Sequence, residues 1–211
     1  MSTGERIQSF RQSPDSTGFV DYRERDDLTE EEKQSLSDYQ DKGNHQLKWE
    51  CEIPEGTRHI SCYVENSALR FTDFKDRLST HDYEQFLSEI HRLDSAEEKS
   101  RIPRDVVIFK GLEDGRWLLE NFDENMWFTD EGFGSYSLNP ADALSFAKPH
   151  NESIIMMCVS LKKGHKAVYL EKDMELLVNR GFRGFIARVL TYNPGEISNS
   201  FRTIVYYIEE V

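Results

Sequence analysis

The sequence predicts an α+β fold, in which an N-terminal helical lobe packs on a mainly antiparallel β-sheet or β-sandwich. Helix caps followed by apolar residues at helical spacing occur before residue 104. Short apolar runs bounded by Gly, Pro and Lys dominate after it, which is typical of strands. The 211 residues, with 13 Phe and 9 Tyr, suffice for one domain with a substantial core. We expect a mobile leader over 1–25 and a single domain over 26–211, mainly helical to 103 and β-rich beyond it.

Two helices are predicted in the N-terminal part. Thr29 and Glu32 form a Thr-x-x-Glu capping box, which opens a helix expected to end at Gly43. Thr80 caps a second helix, whose apolar stripe indicates one buried face and consists of Tyr83, Phe86, Leu87, Ile90 and Leu93. Two further signals are a helix start at 95–98 and a turn at 54–56 between two candidate strands.

Six apolar runs in the C-terminal part predict strands, at 106–109, 154–161, 167–170, 175–178, 182–190 and 203–208. One short helix is expected among them. Asn139 is its cap and Pro140 its first helical residue, and the inward-facing side chains are Ala143, Leu144 and Ala147.

The composition excludes several classes of function. With 26 basic and 39 acidic residues the net charge is −13, which repels phosphate backbones and anionic membranes, so neither nucleic acid nor membrane is an expected partner. No apolar stretch approaches the roughly 20 residues of a membrane span, and the first 20 residues lack the apolar core of a secretory signal. The three cysteines and six histidines show no metal-ligand spacing. We therefore expect reduced cysteines, a cytosolic environment and no metal.

The sequence Asp173-Met174-Glu175 immediately precedes the apolar run at 176–178. In a β-strand, residues two apart point to the same face, so both carboxylates are expected to project side by side from one edge of a cleft. Paired carboxylates suit chemistry at the anomeric carbon of a sugar, where positive charge develops as a glycosidic bond breaks. The alternative interpretation is a strand with one solvated face.

Four features of the second half follow one another in a particular order. They are Phe109-Lys110-Gly111, then Phe133-Gly134-Ser135-Tyr136-Ser137 before the short helix, then a strand and a turn through Tyr169, and last Asp173-Met174-Glu175-Leu176-Leu177. This set resembles the exoenzyme-type mono-ADP-ribosyltransferases, which include clostridial actin- and Rho-modifying toxins and small phage-encoded transferases. Their pattern is a strand-borne Arg-Gly, then Ser-Thr-Ser, then Glu-x-Glu or Gln-x-Glu before Leu-Leu-x-x-Gly. The resemblance covers residues 28–211 and implies the β-sandwich of the ADP-ribosyltransferase type.

The resemblance implies NAD as the substrate, because the family breaks the bond between nicotinamide and ribose and passes ADP-ribose to an acceptor. It makes Glu175 the catalytic carboxylate, which holds a ribose hydroxyl and stabilises an oxocarbenium-like transition state. Ser135 is expected to orient Glu175 and to line the nicotinamide pocket, or else to be a strand-end hydroxyl that satisfies a nearby turn. The positions implied for NAD binding are Lys110, Gly111, Ser135, Ser137 and Phe146, with Phe133 as a second candidate wall. Tyr169 is expected either to stack on the acceptor or only to pack.

The sequence departs from the family pattern at two charged positions. Lys110 stands where the family has arginine; lysine keeps the charge but lacks the planar fork for bidentate contacts, and Arg104 or Arg116 are the candidates to compensate. Asp173 stands where the family has Glu or Gln. Because members with Glu there tend to modify arginine, a carboxylate at this position favours arginine as the acceptor. Tyr136 in place of the middle threonine is a milder departure.

The sequence hypothesis is a mono-ADP-ribosyltransferase that acts on a protein and resides in, or is delivered into, the cytosol. Besides the protein acceptor, the candidate partners are an inhibitor, a chaperone or a translocation partner. A degenerate family member that serves as a binding module is the main alternative, which Lys110 and Asp173 favour. Transfer to nucleic acid is a weaker alternative because the net charge is −13.

Overall fold

A computed structural model describes residues 15–40, 66, 69–70, 80–113, 118, 126–150 and 152–211. These residues form three α-helices, α1 Glu30–Gln40, α2 Thr80–Lys99 and α3 Pro140–Phe146, and two 3₁₀ turns, η1 Tyr22–Glu24 and η2 Glu171–Asp173. They also form eight strands: β1 Val106–Gly111, β2 Trp127–Asp130, β3 Gly134–Ser137, β4 Ser153–Leu161, β5 Ala167–Leu170, β6 Glu175–Val178, β7 Phe182–Tyr192 and β8 Arg202–Glu210. The predicted α+β class is confirmed.

The strands are hydrogen-bonded into one mixed sheet in the order β2-β7-β8-β4-β1-β3-β6-β5. Within this sheet only β4 and β8 run parallel, so the expected antiparallel character holds for the other neighbours. β1 and β3 share one registered pair, Phe109 with Ser137, whereas β3 and β6 share four. The main core cluster contains Ile108 and Met157 from one side of that junction and Leu176 from the other. The sheet therefore folds into a five-stranded and a three-stranded half with a shared apolar interior.

The helical lobe covers the outer face of the three-stranded half. Leu36 of α1 and Ile90 and Leu93 of α2 are buried in one cluster with Val168 and Leu177 of the sheet. The predicted apolar stripe of α2 is thus its buried face, and two of its residues, Tyr83 and Leu87, are partly buried. The segment 95–98 does not start a new helix, because Ala96 is fully buried and continues the same apolar face to Lys99.

The predicted capping box is present at the start of α1. The Glu32 backbone N–H donates to Thr29 Oγ1 at 3.2 Å, and the Thr29 N–H donates to Glu32 Oε2 at 2.8 Å. Glu32 also accepts from Ser95 Oγ at 2.5 Å and Lys99 Nζ at 2.7 Å, so one side chain ties α1 to α2. The expected helix end at Gly43 and the turn at 54–56 lie outside the described residues.

The expected leader boundary at residue 25 is wrong for residues 15–25. Asp21 and Tyr22 are buried, η1 begins at Tyr22, and Asp21 forms an isolated bridge to Tyr169 beside β5. The physical reason is that two aromatic residues interrupt an otherwise polar segment. Phe19 packs against Tyr169 with the rings tilted by 43° and their centroids 5.3 Å apart, and Tyr22 belongs to the buried cluster of the helical lobe.

Two strands escaped the sequence analysis. β2 and β3 have four residues each, with buried and partly exposed side chains alternating. An alternation over four residues is too short to distinguish a strand from a loop by sequence. β2 forms a strand because its backbone pairs with β7. No helix in the described part of the chain is long and apolar enough to cross a membrane.

The predicted short helix α3 lies directly on β1. Asn139 Oδ1 accepts from the Ala141 N–H at 3.0 Å, Pro140 is the first helical residue, and Ala143 is buried. A Cβ on Gly111 would lie 2.0 Å from the Ala143 carbonyl oxygen and 2.8 Å from the Ala147 nitrogen. Glycine at 111 is therefore what lets the helix backbone rest on the end of β1.

We expect Glu32→Gln to destabilise the protein by about 1–3 kcal/mol, since it weakens charge-assisted bonds at a buried position. Burial disfavours the charged form, but hydrogen bonds from Lys99, Ser95 and the Thr29 N–H hold the pKa of Glu32 below its usual value. The stabilisation is present above the unfolded pKa of about 4.3 and is lost as the pH falls through the folded pKa. Urea unfolding at pH 7 and pH 3 measures both effects. Exposed Glu31→Gln is the control, and an equal loss in both variants would contradict the assignment.

Gly111→Ala should cost about 3 kcal/mol, because backbone atoms of α3 cannot move aside as a flexible side chain can. Gly195→Ala is the comparison variant: its φ is +94°, and no atom lies within 4 Å of the added Cβ. That variant reports the conformational strain alone, about 1 kcal/mol. Thermal unfolding of the wild type and the two variants checks the predicted order of Tm values, in which Gly111→Ala is lowest. A Gly111→Ala variant with the wild-type Tm would contradict this prediction.

Candidate active site

Glu175 begins β6 at the place where three strands meet. Ser137 of β3 lies opposite Phe109 of β1 on one side and opposite Glu175 on the other. Directly opposed residues of antiparallel strands share a face, and neighbouring strands lie about 4.8 Å apart. Glu175, Ser137 and Phe109 therefore project in a row from the same face of the sheet. Glu175 is 5% exposed, so its carboxylate is largely withdrawn from water.

β1 and β3 separate on either side of their single pair. Continued pairing would set Lys110 against Tyr136 and Gly111 against Ser135, but neither pair forms. The sequence-predicted positions 110, 111, 135, 137 and 175 are thus gathered around one gap in the sheet. This gap, bounded by the end of β1, by β3 and by the start of β6, is the candidate active site.

Lys110 and Glu175 approach the gap from opposite faces of the sheet. Lys110 follows Phe109 in the strand, and its Nζ lies 5.2 Å from the ring centroid of Tyr136. Tyr136 likewise alternates with the two serines. A cation over an aromatic ring is an attractive contact that keeps the ammonium group near the gap.

The strand register gives the two serines different positions relative to Glu175. Ser137 is directly opposite Glu175, whereas Ser135 is opposite Leu177, two pairs further along. Ser137 Oγ accepts a hydrogen bond from the Asn139 N–H at 2.9 Å. A hydroxyl that accepts one bond can still donate another, so Ser137 can donate to a neighbouring carboxylate.

Asp173 does not lie in a strand, and the sequence argument that placed it beside Glu175 by strand alternation is wrong. It belongs to η2, and Met174 has φ 48° and ψ 46°, the left-handed conformation. The chain therefore changes direction between the two carboxylates, and only Glu175 is in β6. Gln40 at the end of α1 donates from Nε2 to Asp173 Oδ2 at 3.2 Å. Asp173 is positioned by this turn and by the helical lobe.

The predicted aromatic positions divide into core and surface. Tyr169 is 7% exposed and packs on Phe19, so the packing alternative describes it and its ring is not available to an acceptor. Phe133 is fully buried and contacts Tyr39 edge to face at 6.1 Å. Phe146, at the C-terminal end of α3, is 46% exposed. Of these three candidates only Phe146 presents its ring to solvent.

Two polar residues that the sequence analysis did not single out support the loop before β3. Asn66 Oδ1 accepts from the Phe133 N–H at 2.7 Å, and the Arg70 guanidinium donates two bonds of 2.8 Å to the buried Asp130. Asp130 also accepts from the Gly132 N–H at 3.0 Å. These bonds fix the turn that leads to Ser135. Their partners lie 60 or more residues apart in sequence, so no local pattern could reveal them.

Tyr136 fills the middle of the serine motif with a buried ring. Burial, with a smaller contribution from the Asp130 charge, raises the pKa of its hydroxyl well above the usual range, so it stays protonated. A Cβ on Gly134 would lie 2.4 Å from the Tyr136 ring, which explains the glycine two positions earlier. The tyrosine thus belongs to the interior side of β3 while both serines face the other way.

Arg104 does not take the place of the family arginine. It pairs with Asp15 at 2.9 Å, and its guanidinium carbon lies 5.7 Å from the Phe19 ring centroid. It precedes β1, six residues before Lys110, which corresponds to about 20 Å along an extended chain. Arg116 lies outside the described residues. In the part of the chain that the structure describes, no group of three or more His, Cys, Asp or Glu side chains could hold a metal ion.

Known proteins share this fold. Similar solved structures include Plx2a, an ADP-ribosyltransferase toxin from Paenibacillus larvae, with 16% identity over 87% of each chain and a TM-score of 0.60. The C3 exoenzyme of Clostridium limosum shares 17% identity over 86% of each chain, with a TM-score of 0.58. BECa, an ADP-ribosylating toxin of a C. perfringens binary enterotoxin solved with NADH, shares 15% identity; the match covers 88% of this chain and 44% of BECa, with a TM-score of 0.58.

At these identities the likeness to solved structures shows a common fold, and no curated protein sequence matches the chain. The family assignment comes from the sequence model of the ADP-ribosyltransferase exoenzyme domain, which matches residues 18–205. That match includes strands β1 to β7, the first four residues of β8 and every candidate site residue. The chain therefore belongs to the ADP-ribosyltransferase exoenzyme family, a family of NAD-dependent transferases.

Proposed function

We propose that this protein is a mono-ADP-ribosyltransferase that transfers ADP-ribose from NAD to arginine on a protein and releases nicotinamide. The observation that carries the proposal is the position of Glu175, a withdrawn carboxylate directly opposite a serine at the gap between β1 and β3. A carboxylate in such a place stabilises positive charge more strongly than it would in water. The site of action is the cytosol of a target cell.

In this mechanism the bond between C1′ of the ribose and the nicotinamide nitrogen breaks, and its electron pair leaves with nicotinamide. The ribose develops oxocarbenium character, which the Glu175 carboxylate stabilises while it holds a ribose hydroxyl. Ser137 orients the carboxylate from the opposing strand, and Ser135, two pairs further along, lines the pocket. A guanidinium nitrogen then bonds to C1′ and gives up a proton.

Lys110 and Phe146 supply the remaining contacts to NAD. The Lys110 ammonium, held over Tyr136 beside the gap, offers a point charge to a phosphate group of NAD. Gly111 takes part by letting α3 approach, so that Phe146 at the end of that helix can cover the nicotinamide ring. The side chains around the gap supply carboxylate, hydroxyl and ammonium groups. These groups suit a substrate with ribose hydroxyls and a pyrophosphate.

Asp173 acts on the acceptor in this proposal. Its turn precedes β6, and the neighbouring side chains of Glu171 and Lys172 are exposed, so an incoming protein can reach this edge. A carboxylate here orients the guanidinium and accepts its proton. Gln40 Nε2 donates to Oδ2 of Asp173 at 3.2 Å and so helps to hold the carboxylate at this turn.

A degenerate binding module is the second candidate. The observation that favours it is the ring contact of Lys110, which offers the ammonium group a partner within the protein. The two candidates differ in whether NAD is cleaved.

Glu175→Gln preserves shape but removes the charge that faces the developing cation. We expect the rate of nicotinamide release from NAD to fall at least about 100-fold. The measurement is nicotinamide release by chromatography. Glu171→Gln, an exposed carboxylate four residues earlier, is the control. Equal release by wild type and Glu175→Gln contradicts the enzyme proposal, and no release by either supports the binding module.

Asp173→Ala should lower transfer to protein more than it lowers nicotinamide release, because water needs no carboxylate to orient a guanidinium. We expect a loss of about 100-fold or more in transfer, in the range for removal of one acid–base group. Labelled NAD with a cell lysate, followed by mass spectrometry of the labelled residue, gives the transfer rate and the acceptor. Parallel loss of both rates would show that Asp173 acts on NAD or on the fold.

A further inference from the structure

Asp21 caps two 3₁₀ turns at once. Its Oδ1 accepts from the Arg23 N–H at 3.0 Å at the start of η1, and its Oδ2 accepts from the Glu171 N–H at 2.7 Å at the start of η2. The carboxylate is 4% exposed. Burial disfavours its charge, but hydrogen bonds from Arg23 and the Glu171 N–H hold the pKa of Asp21 below its usual value. It is therefore a buried, ionised group with both oxygens engaged.

The second turn depends on this distant cap. The first N–H groups of any helical turn have no partner within the turn and need an external acceptor. Leu170, the residue at the capping position of η2, provides no side-chain bond. The acceptor comes instead from Asp21, 150 residues earlier in the chain. The bridge between Asp21 and Tyr169 holds the two segments in register beside this bond.

The turn carries Asp173 and ends two residues before Glu175. Its other fixed points are the Met174 N–H bond to the Glu171 oxygen at 3.0 Å and the Gln40 bond to Asp173 at 3.2 Å. Without the Asp21 bond, the first residue of the turn loses its anchor. The side chains of Asp21 and Gln40 reach the turn from the N-terminal part of the chain. The Leu138 N–H also donates to the Met174 oxygen at 2.9 Å, and Leu170 pairs with Glu175 on either side of the turn.

We propose that Asp21 is a positioning residue for transfer: its carboxylate fixes η2 and so holds Asp173 where the acceptor arrives. This inference rests on the proposed function for the role of Asp173. The tether itself is a property of the fold and can be measured without any catalysis.

Asp21→Asn separates the two caps. Asparagine is a good N-cap, so its oxygen can serve η1, but its amide nitrogen then faces the Glu171 N–H, donor against donor. The opposite amide orientation would set the nitrogen against the backbone and guanidinium donors of Arg23 and is less favourable. Asp26→Asn is the matched control, because it makes the same charge change at an exposed position in the same segment.

Hydrogen exchange measured by mass spectrometry tests the tether. Peptides that cover 167–176 should exchange about tenfold faster in Asp21→Asn than in wild type or Asp26→Asn, because the turn opens locally. Peptides from β4, deep in the five-stranded half, should exchange at the wild-type rate. If Asp21→Asn unfolds, the same exchange measurement is made on Asp21→Ser, whose side chain can cap η1 but is too short to reach Glu171. Wild-type exchange of 167–176 in the variant overturns the proposal.

Activity tests the positioning role with agmatine, a small guanidinium compound, as the acceptor. The ratio of transfer to nicotinamide release should fall about fivefold in Asp21→Asn, with the KM for NAD within about twofold of wild type. Partial unfolding lowers both rates together and leaves the ratio unchanged, so a merely structural role cannot produce this result. Faster exchange with an unchanged ratio overturns the positioning role. A wild type that releases no nicotinamide contradicts the proposed function instead, while the exchange data still decide the tether.

Discussion

The pairing of Phe109 with Ser137 is the contact that joins the two halves of the sheet. On one side of it, β3, β6 and β5 lie under the helical lobe; on the other, β1 leads into four further strands. Because a single pair holds β1 to β3, the strands diverge immediately beside it, and Ser137 and Glu175 line the opening. A fully paired junction would close the sheet and fill this place with backbone hydrogen bonds. The candidate site exists because the backbone pairing between β1 and β3 stops on either side of this one pair.

Three supports hold the edges of that opening, and each comes from a different part of the chain. Helix α3 rests on Gly111 and fixes the end of β1. The Arg70–Asp130 ion pair and Asn66 fix the turn that enters β3. Asp21 and Gln40 fix the turn that enters β6. The geometry of the candidate site therefore depends on contacts between distant segments, and the apolar clusters set the overall arrangement of the layers.

Much of the fold was predictable from local patterns. The capping box at Thr29, the Asn139-Pro140 helix start and the strands at 167–170 and 175–178 occur where the sequence indicates them, since each depends on neighbouring residues. The ordered motifs also include positions that the sheet brings together, since Ser137 pairs with both Phe109 and Glu175. Position along a strand was less predictable: the motif analysis chose Ser135 to orient the carboxylate, whereas the register sets Ser137 opposite Glu175. Register follows from pairing between strands, which one strand's sequence does not contain.

The sequence by itself determined the class of fold, most of its elements and the family, because periodicity, caps and ordered motifs are local properties of the chain. Only the tertiary structure decided where side chains point. Met174 in the left-handed conformation takes Asp173 out of the strand, and Phe19 occupies the face of Tyr169. The Asp21 tether joins residues 150 positions apart. These features depend on contacts formed only when the chain is folded, since a backbone turn or a buried ring is stabilised by partners that lie far away in sequence.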